Sequence, residues 1–204
     1  MSLSLIVVGK RGSELGEFSE RNPAVSLHAS EVVLLNNERM RYGGQGAIWN
    51  RATAQRPAVN QVVGLVHADT LLSPAFLANA EAAAKRGFVV GLVGRDLEDR
   101  YVWAHQIGQI TPVSTLDGCS LFVSVETVLQ FNLSMDTETF DSFHCSVEDF
   151  CLQAQVCANV ESVVVPGMAG HEGKSTFDDA WRREYAKYRM RLQVKYADTI
   201  FKTT

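Results

Sequence analysis

The chain has 204 residues, enough for one well-buried core and rather short for two full domains. With 46% hydrophobic and 21% charged residues, its composition is ordinary for a globular protein and excludes a disordered one. A net charge of −4 at pH 7 argues against a nucleic-acid binder, which normally carries a basic face.

No basic region precedes the apolar run Leu5–Val8, and that run is too short for a secretion signal. No stretch approaches the roughly 20 apolar residues of a membrane span. These features predict a cytoplasmic protein. Cys119 stands alone, and Cys145, Cys151 and Cys157 are spaced too widely for a zinc knuckle. All four are expected to be small buried apolar side chains.

In chain order, Leu3–Val8 is a continuous apolar run suited to a buried strand, broken by Gly9–Gly12. Ser13–Glu20 makes a short helix at best. Glu31–Leu35 reads as a second strand, closed by Asn36 and Asn37. The glycines around Gln45 form a loop, and a short helix follows over Ala47–Gln55, ending near Pro57. Gln61–Val66 is the third strand. Ser73 and Pro74 carry the signature of an N-cap and first helical position, opening an alanine-rich helix that Gly87 stops.

Phe88–Val93 reads as a fourth buried strand, stopped by Gly94. Arg95–Thr115 is polar and irregular, with Tyr101, Trp103 and His105 inside it; a loop this long is usually functional or mobile. A strand over Asp117–Val123 and a short helix over Val125–Gln130 come next. Ser146 caps a helix from Val147 to about Ala158, Val160–Val165 is a last strand, and Gly167–Gly173 is a glycine-rich loop. The final helix runs from about Phe177 to Tyr196, with Trp181, Tyr185, Tyr188 and Leu192 as its packing stripe. This alternation predicts one α/β domain over the whole chain, with a mainly parallel mixed sheet between helices.

Three segments carry chemistry. His67-Ala68-Asp69 follows a buried strand directly, and residues i and i+2 of an extended segment point the same way. Open α/β sheets bind ligands beyond the carboxyl ends of their strands, so His67 and Asp69 suit a Mn²⁺ or Mg²⁺ ion bridging a diphosphate. Read alone, the same residues also fit a polar turn. Ser146 to Asp149 fits a capping box, and equally an acidic helix start in which Asp149 serves as a general base at the mouth of the sheet. In the glycine-rich loop His171 is a further metal ligand or simply an exposed residue, and Lys174 suits phosphate. Asn36-Asn37, Trp49-Asn50 and Asp117 serve either turns or a ligand.

In this order, Leu5–Gly9, Val32–Asn37, Ala47–Ala52, Leu65–Thr70, Leu116–Val123 and Phe140–Ala154 resemble the GT-A glycosyltransferases, in particular the bacterial branch of the large inverting family. The most specific match is Phe140-Asp141-Ser142-Phe143-His144 followed by Glu148-Asp149-Phe150-Cys151-Leu152. The resemblance implies a GT-A fold and a nucleotide-sugar donor met by Val8, Gly9, Asn37, Asn50 and Lys174. It implies a divalent ion held by Asp69 with His67 and His171. It also implies a saccharide or other hydroxyl acceptor near Asp117 and Trp103, with Asp149 as the base and its neighbour Glu148 as the second catalytic residue. Two alternatives stay open: a non-catalytic GT-A-like binding module, and a nucleotidyltransferase, for which Gly9-Lys10-Arg11-Gly12 is a faint loop signal.

Overall fold

A computed structural model of the chain describes residues 3–38, 41–55, 61–172 and 179–197. Strand β1 (Leu3–Gly9) is buried along its whole length, as its unbroken apolar sequence requires. Helix α1 (Gly12–Arg21) sets Leu15 and Phe18 against the sheet, and exceeds the short helix expected over Ser13–Glu20 by one residue at each end. A second helix, α2 (Pro23–His28), was not expected; a proline suited to its first turn opens it. Strand β2 (Glu31–Asn36) lies at the sheet edge, with Val32 and Leu34 exposed.

Helix α3 (Gln45–Ala54) leads to β3 (Val62–His67), then a tight turn to the short strand β4 (Thr70–Leu72). Helix α4 (Pro74–Lys85) begins as expected: the Ser73 hydroxyl accepts from the Phe76 amide at 3.2 Å. Its alanines let it approach the sheet closely, and Phe76 meets Phe122 edge to face with ring centroids 5.8 Å apart.

The expected strand over Phe88–Val93 is in fact two: β5 (Val89–Gly91) in the main sheet and β6 (Val93–Arg95) in a side sheet. Gly94 does not stop the strand but lies within it. A side chain there would place its Cβ 2.8 Å from the Thr115 carbonyl oxygen, so only glycine lets β6 pair so closely. The supposed irregular loop is also ordered. It holds β7 (Tyr101–Trp103), a 3₁₀ turn over Ala104–Gln106, β8 (Thr111–Val113) and β9 (Thr115–Leu116).

Strand β10 (Ser120–Ser124) starts later than predicted, and leaves Asp117 in the turn before it. Helix α5 (Val125–Gln130) matches its expected bounds. Helix α6 (Ser146–Ala158), β11 (Ser162–Val164), β12 (Ala169–His171) and α7 (Asp179–Lys195) complete the chain. Lys174 and the expected start of the last helix near Phe177 lie outside the described residues.

The main sheet has seven strands in the order β2-β1-β3-β10-β5-β11-β8. The β2–β1, β1–β3 and β5–β11 pairs are parallel; β10 is antiparallel to both neighbours, and β8 to β11. The α/β class and mixed sheet agree with the sequence reading, with antiparallel pairing more prominent than expected. Small sheets β7-β6-β9 and β12-β4 flank it. A second apolar cluster of Phe140, Cys145, Leu152, Tyr188, Leu192 and Tyr196 fixes α7 against α6. Cys119, Cys145 and Cys151 are buried as expected, but Cys157 is exposed. No helix among the described residues is long and apolar enough to cross a membrane.

Candidate active site

The register of the sheet builds one polar rim. Gly9 pairs with Asn36 and Val8 with His67, so the carboxyl ends of β1, β2 and β3 stop level with one another. Antiparallel β10 starts at the same edge, with Ser120 opposite Val66, which brings the turn Asp117-Gly118-Cys119 to the rim.

Backbone bonds hold the turn after β3. The His67 amide donates to the Cys119 carbonyl at 3.0 Å, and the Ala68 amide to the Val8 carbonyl at 2.9 Å. The Thr70 hydroxyl donates to the His67 carbonyl at 2.8 Å. Asn22, fully enclosed, donates to the Thr70 carbonyl at 3.0 Å and accepts from the Leu72 amide at 2.7 Å, which pins β4 to α1. Arg21 donates to the Ala68 carbonyl at 3.1 Å and pairs with Glu172 at 2.5 Å.

Pairing of β12 with β4 sets His171 opposite Thr70, and the Glu172 amide donates to the Asp69 carbonyl at 3.0 Å. His171 Nε2 thereby comes 3.1 Å from Asp69 Oδ1. One ligand atom each from His67, Asp69 and His171 falls within 4.8 Å of the others. Nε2 of His67 is buried without a hydrogen bond among the described residues, whereas Nε2 of His171 faces the Asp69 carboxylate. A buried polar atom is rarely left so, and this imidazole nitrogen beside a second imidazole and a carboxylate is a donor set that fits a divalent cation.

The electrostatics agree. Burial takes the His67 imidazole down to about 4, so it is neutral and offers a lone pair at physiological pH. Burial also acts to raise the Asp69 carboxyl, but the His171 and His67 rings outweigh it and hold the group ionised, at about 2. For His171, burial acts to lower the imidazole and the Asp69 carboxylate more than offsets it, for a net rise.

The two acidic neighbours at the start of α6 part company. Asp149 is 0% exposed and turns away from the rim: its Oδ1 accepts from the Tyr196 hydroxyl at 2.9 Å and lies 2.8 Å from Lys195 Nζ. This corrects the expected place of Asp149 at the mouth of the sheet. Successive helix residues point about 100° apart, so the two carboxylates leave the helix in different directions. Glu148 lies within electrostatic reach of the rim residue Asp117, and of Arg95 and Arg189. Burial and then Asp117 push its carboxyl up to about 8, against the pull of the two arginines. The expected capping box is absent too. Cys145 precedes the helix in the left-handed region at φ 60°, and the Ser146 hydroxyl donates to Gln45 Oε1 at 3.4 Å.

Other predicted residues have structural partners. Asn37 accepts from the Tyr42 amide at 2.7 Å and donates to the Gly43 carbonyl at 3.0 Å, clamping its own loop. Asn50 donates to the Met135 carbonyl at 2.8 Å and accepts from its amide at 2.9 Å. Val8 and Gly9 end β1 at the rim, Val8 buried within it. Asp117 accepts from the Cys119 amide at 3.0 Å. Trp103 is half-buried between Tyr101 and His105 in its own hairpin.

Two rim residues escaped the sequence reading. Lys10, directly after β1, lies within electrostatic reach of His67, His171 and His144. Gln45 is buried and donates to the Gly118 carbonyl at 2.5 Å, tying α3 to the Asp117–Cys119 turn and to Ser146. Lys10 was recognisable as a cation at a strand end; Gln45, a polar residue after two glycines, gave no signal. Arg95, at the end of β6, donates to both the backbone and side chain of Asp99 at 3.0 Å, and Arg189 of α7 reaches Asp99 at 3.3 Å.

No protein-family model matches the chain, and no curated protein matches it in sequence. Solved structures are similar to it in shape. One is GalNAc-T7 with UDP, GalNAc and Mn²⁺, at 11% identity and a TM-score of 0.56, over 84% of this chain and 44% of that one. Another is residues 1–349 of S. aureus TarS in complex with UDP, at 13% identity and a TM-score of 0.54, over 98% of this chain and 73% of that one. A longer S. aureus TarS chain gives 14% identity and a TM-score of 0.51, over 82% of this chain and 37% of that one. TarS and GalNAc-T7 are GT-A glycosyltransferases. This chain has the GT-A fold, and spans less than half the length of GalNAc-T7 and of the longer TarS chain.

Proposed function

We propose that the chain is a metal-dependent glycosyltransferase, which moves a sugar from a nucleotide-sugar donor to an acceptor hydroxyl with inversion. The observation that carries this reading is the convergence of His67, Asp69 and His171 at the strand-end rim of a GT-A sheet, with the buried Nε2 of His67 left without a hydrogen bond among the described residues. These three side chains would hold the ion, and a bound Mn²⁺ or Mg²⁺ would stabilise the departing diphosphate. The paired imidazoles favour Mn²⁺ over Mg²⁺. Gly9 lets backbone approach the nucleotide, and Lys10 adds positive charge on the phosphate side.

Glu148 is the base in this reading, in place of Asp149. Its carboxylate takes the proton of the acceptor hydroxyl, whose oxygen attacks the anomeric carbon from the face opposite the diphosphate. A carboxyl at about 8 suits proton transfer near neutral pH better than an ordinary one. Asp117, on the same rim, stands where it can orient the acceptor.

Calorimetric titration of a panel of nucleotide sugars, with and without Mn²⁺, tests the reading. One donor should bind in a Mn²⁺-dependent way, and Asp69→Asn should remove that dependence. Absence of binding by every donor with either ion would refute it. A non-catalytic nucleotide-binding module is the second reading, favoured by the single carboxylate among the three ligands. It predicts donor binding without release of nucleoside diphosphate in the presence of any hydroxyl acceptor.

A further inference from the structure

A second set of ligand atoms overlaps the first. Asp117, Cys119 and His171 also bring one ligand atom each within 4.8 Å of one another. Cys119 is buried, and its amide is held by Asp117 Oδ1 at 3.0 Å, so the turn fixes both side chains relative to each other. The third member, His171, has its Nε2 3.1 Å from Asp69 Oδ1, so the ring stands between the two sets. The two sets share His171 and differ in the rest: imidazole and carboxylate in one, carboxylate and sulfur in the other.

That difference decides which ion each set takes. Sulfur is a soft donor that selects Zn²⁺ and its neighbours over Mg²⁺ and Mn²⁺. Three protein ligands and one water complete a tetrahedral zinc, with ligand atoms roughly 3.5 Å apart. The present spacing of up to 4.8 Å closes to that by side-chain adjustment.

We propose that Asp117, Cys119 and His171 form a site for a thiophilic divalent ion such as Zn²⁺, and that filling it withdraws His171 from Asp69. On binding, the sulfur–metal bond forms as the Cys119 thiol releases its proton to solvent; nothing is oxidised or reduced. A single histidine cannot serve both ions, so Zn²⁺ antagonises Mn²⁺ at the neighbouring set. Apart from His171, the site stands on residues the proposed donor site does not use as ligands.

Titrating Co²⁺ alone into the full chain tests this by absorption. A sulfur-to-cobalt charge-transfer band in the near ultraviolet should rise to saturation, be displaced by Zn²⁺ and resist Mg²⁺. Cys119→Ser should lose the band and weaken Zn²⁺ binding by about 10- to 100-fold or more. His67→Ala should keep the band. No band in the wild type, or a band that survives Cys119→Ser, overturns the proposal; in the latter case the exposed Cys157 is the obvious ligand. Circular dichroism shows whether Cys119→Ser is folded. If it is not, Asp117→Asn decides, and unchanged Zn²⁺ affinity in that variant overturns the site. An intact band without donor binding sinks only the transferase reading, and donor binding without a band sinks only this one.

Discussion

Replacing Glu148 by Gln should abolish sugar transfer and, at pH 8, leave a more stable protein than the wild type. The Glu148 carboxyl titrates at about 8 in the fold against an ordinary 4.5. Each unit is worth about 1.4 kcal/mol, so ionising the group in place costs at most about 5 kcal/mol. Glu148 is only half-buried, and the water it keeps screens this to about 1–3 kcal/mol. Between those two values the folded chain holds a proton that the unfolded chain has lost. Wild-type stability therefore falls as pH rises through that window, and glutamine removes the dependence. Urea unfolding of both proteins at several pH values between about 5 and 8 measures it; the melting temperature should differ by about 2–4 °C for each kcal/mol. The gap should widen steadily with pH and level off above 8. A gap that does not change with pH, or a variant less stable at pH 8, would refute the reasoning. Wild-type transfer should rise over the same range, because the base works only once its proton is gone.

Asp149→Ala should act through the fold: it leaves the Tyr196 hydroxyl only the backbone carbonyl of residue 149 and weakens the hold on Lys195, at a cost of about 3 kcal/mol in urea unfolding. Mn²⁺ affinity, followed by electron paramagnetic resonance, should stay as in the wild type; a large loss would return Asp149 to the site. Asn22→Ala removes the side chain that pins β4, and should cost about 2–3 kcal/mol. Because β4 positions His171 through β12, Mn²⁺ should also bind about tenfold more weakly, and unchanged binding would contradict that role. Gly44→Ala would set a Cβ 2.6 Å from the carbonyl oxygens of Asp141 and Ser142, so the backbone must shift. A cost of about 1–3 kcal/mol follows, and a neutral variant would show the contact to be softer than it looks.

The parts of the site that were legible in the sequence follow local rules. His67 and Asp69 share a side because they are two apart after a strand, and the cap of α4 follows from Ser73 and Pro74. The meeting of His171 with Asp69 depends on the register of two three-residue strands, too short to show any period. The same brevity hid the strands between Arg95 and Leu116. Which of Glu148 and Asp149 faces the rim was illegible for another reason. The choice is made by Lys195 and Tyr196, about 47 residues later, which draw one carboxylate inward and leave the other to the site. Asn37 and Asn50 show the opposite error, where a side chain suited to a ligand is used up by a nearby backbone.

The pairing of β4 with β12 joins segments separated by half the chain. Closing so long a loop is slow compared with forming α4 or the β6–β7 hairpin. During synthesis, β1 to β3 and their helices emerge well before His171 does. A nascent chain thus has most of the strand-end rim before His171 joins Asp69. His171 follows β5, β10 and β11 in the chain, so it is made only after all three of those strands. Acquisition of metal affinity would then mark a late event in maturation, and an ion-binding signal in pulse-refolding would time the last docking of the sheet.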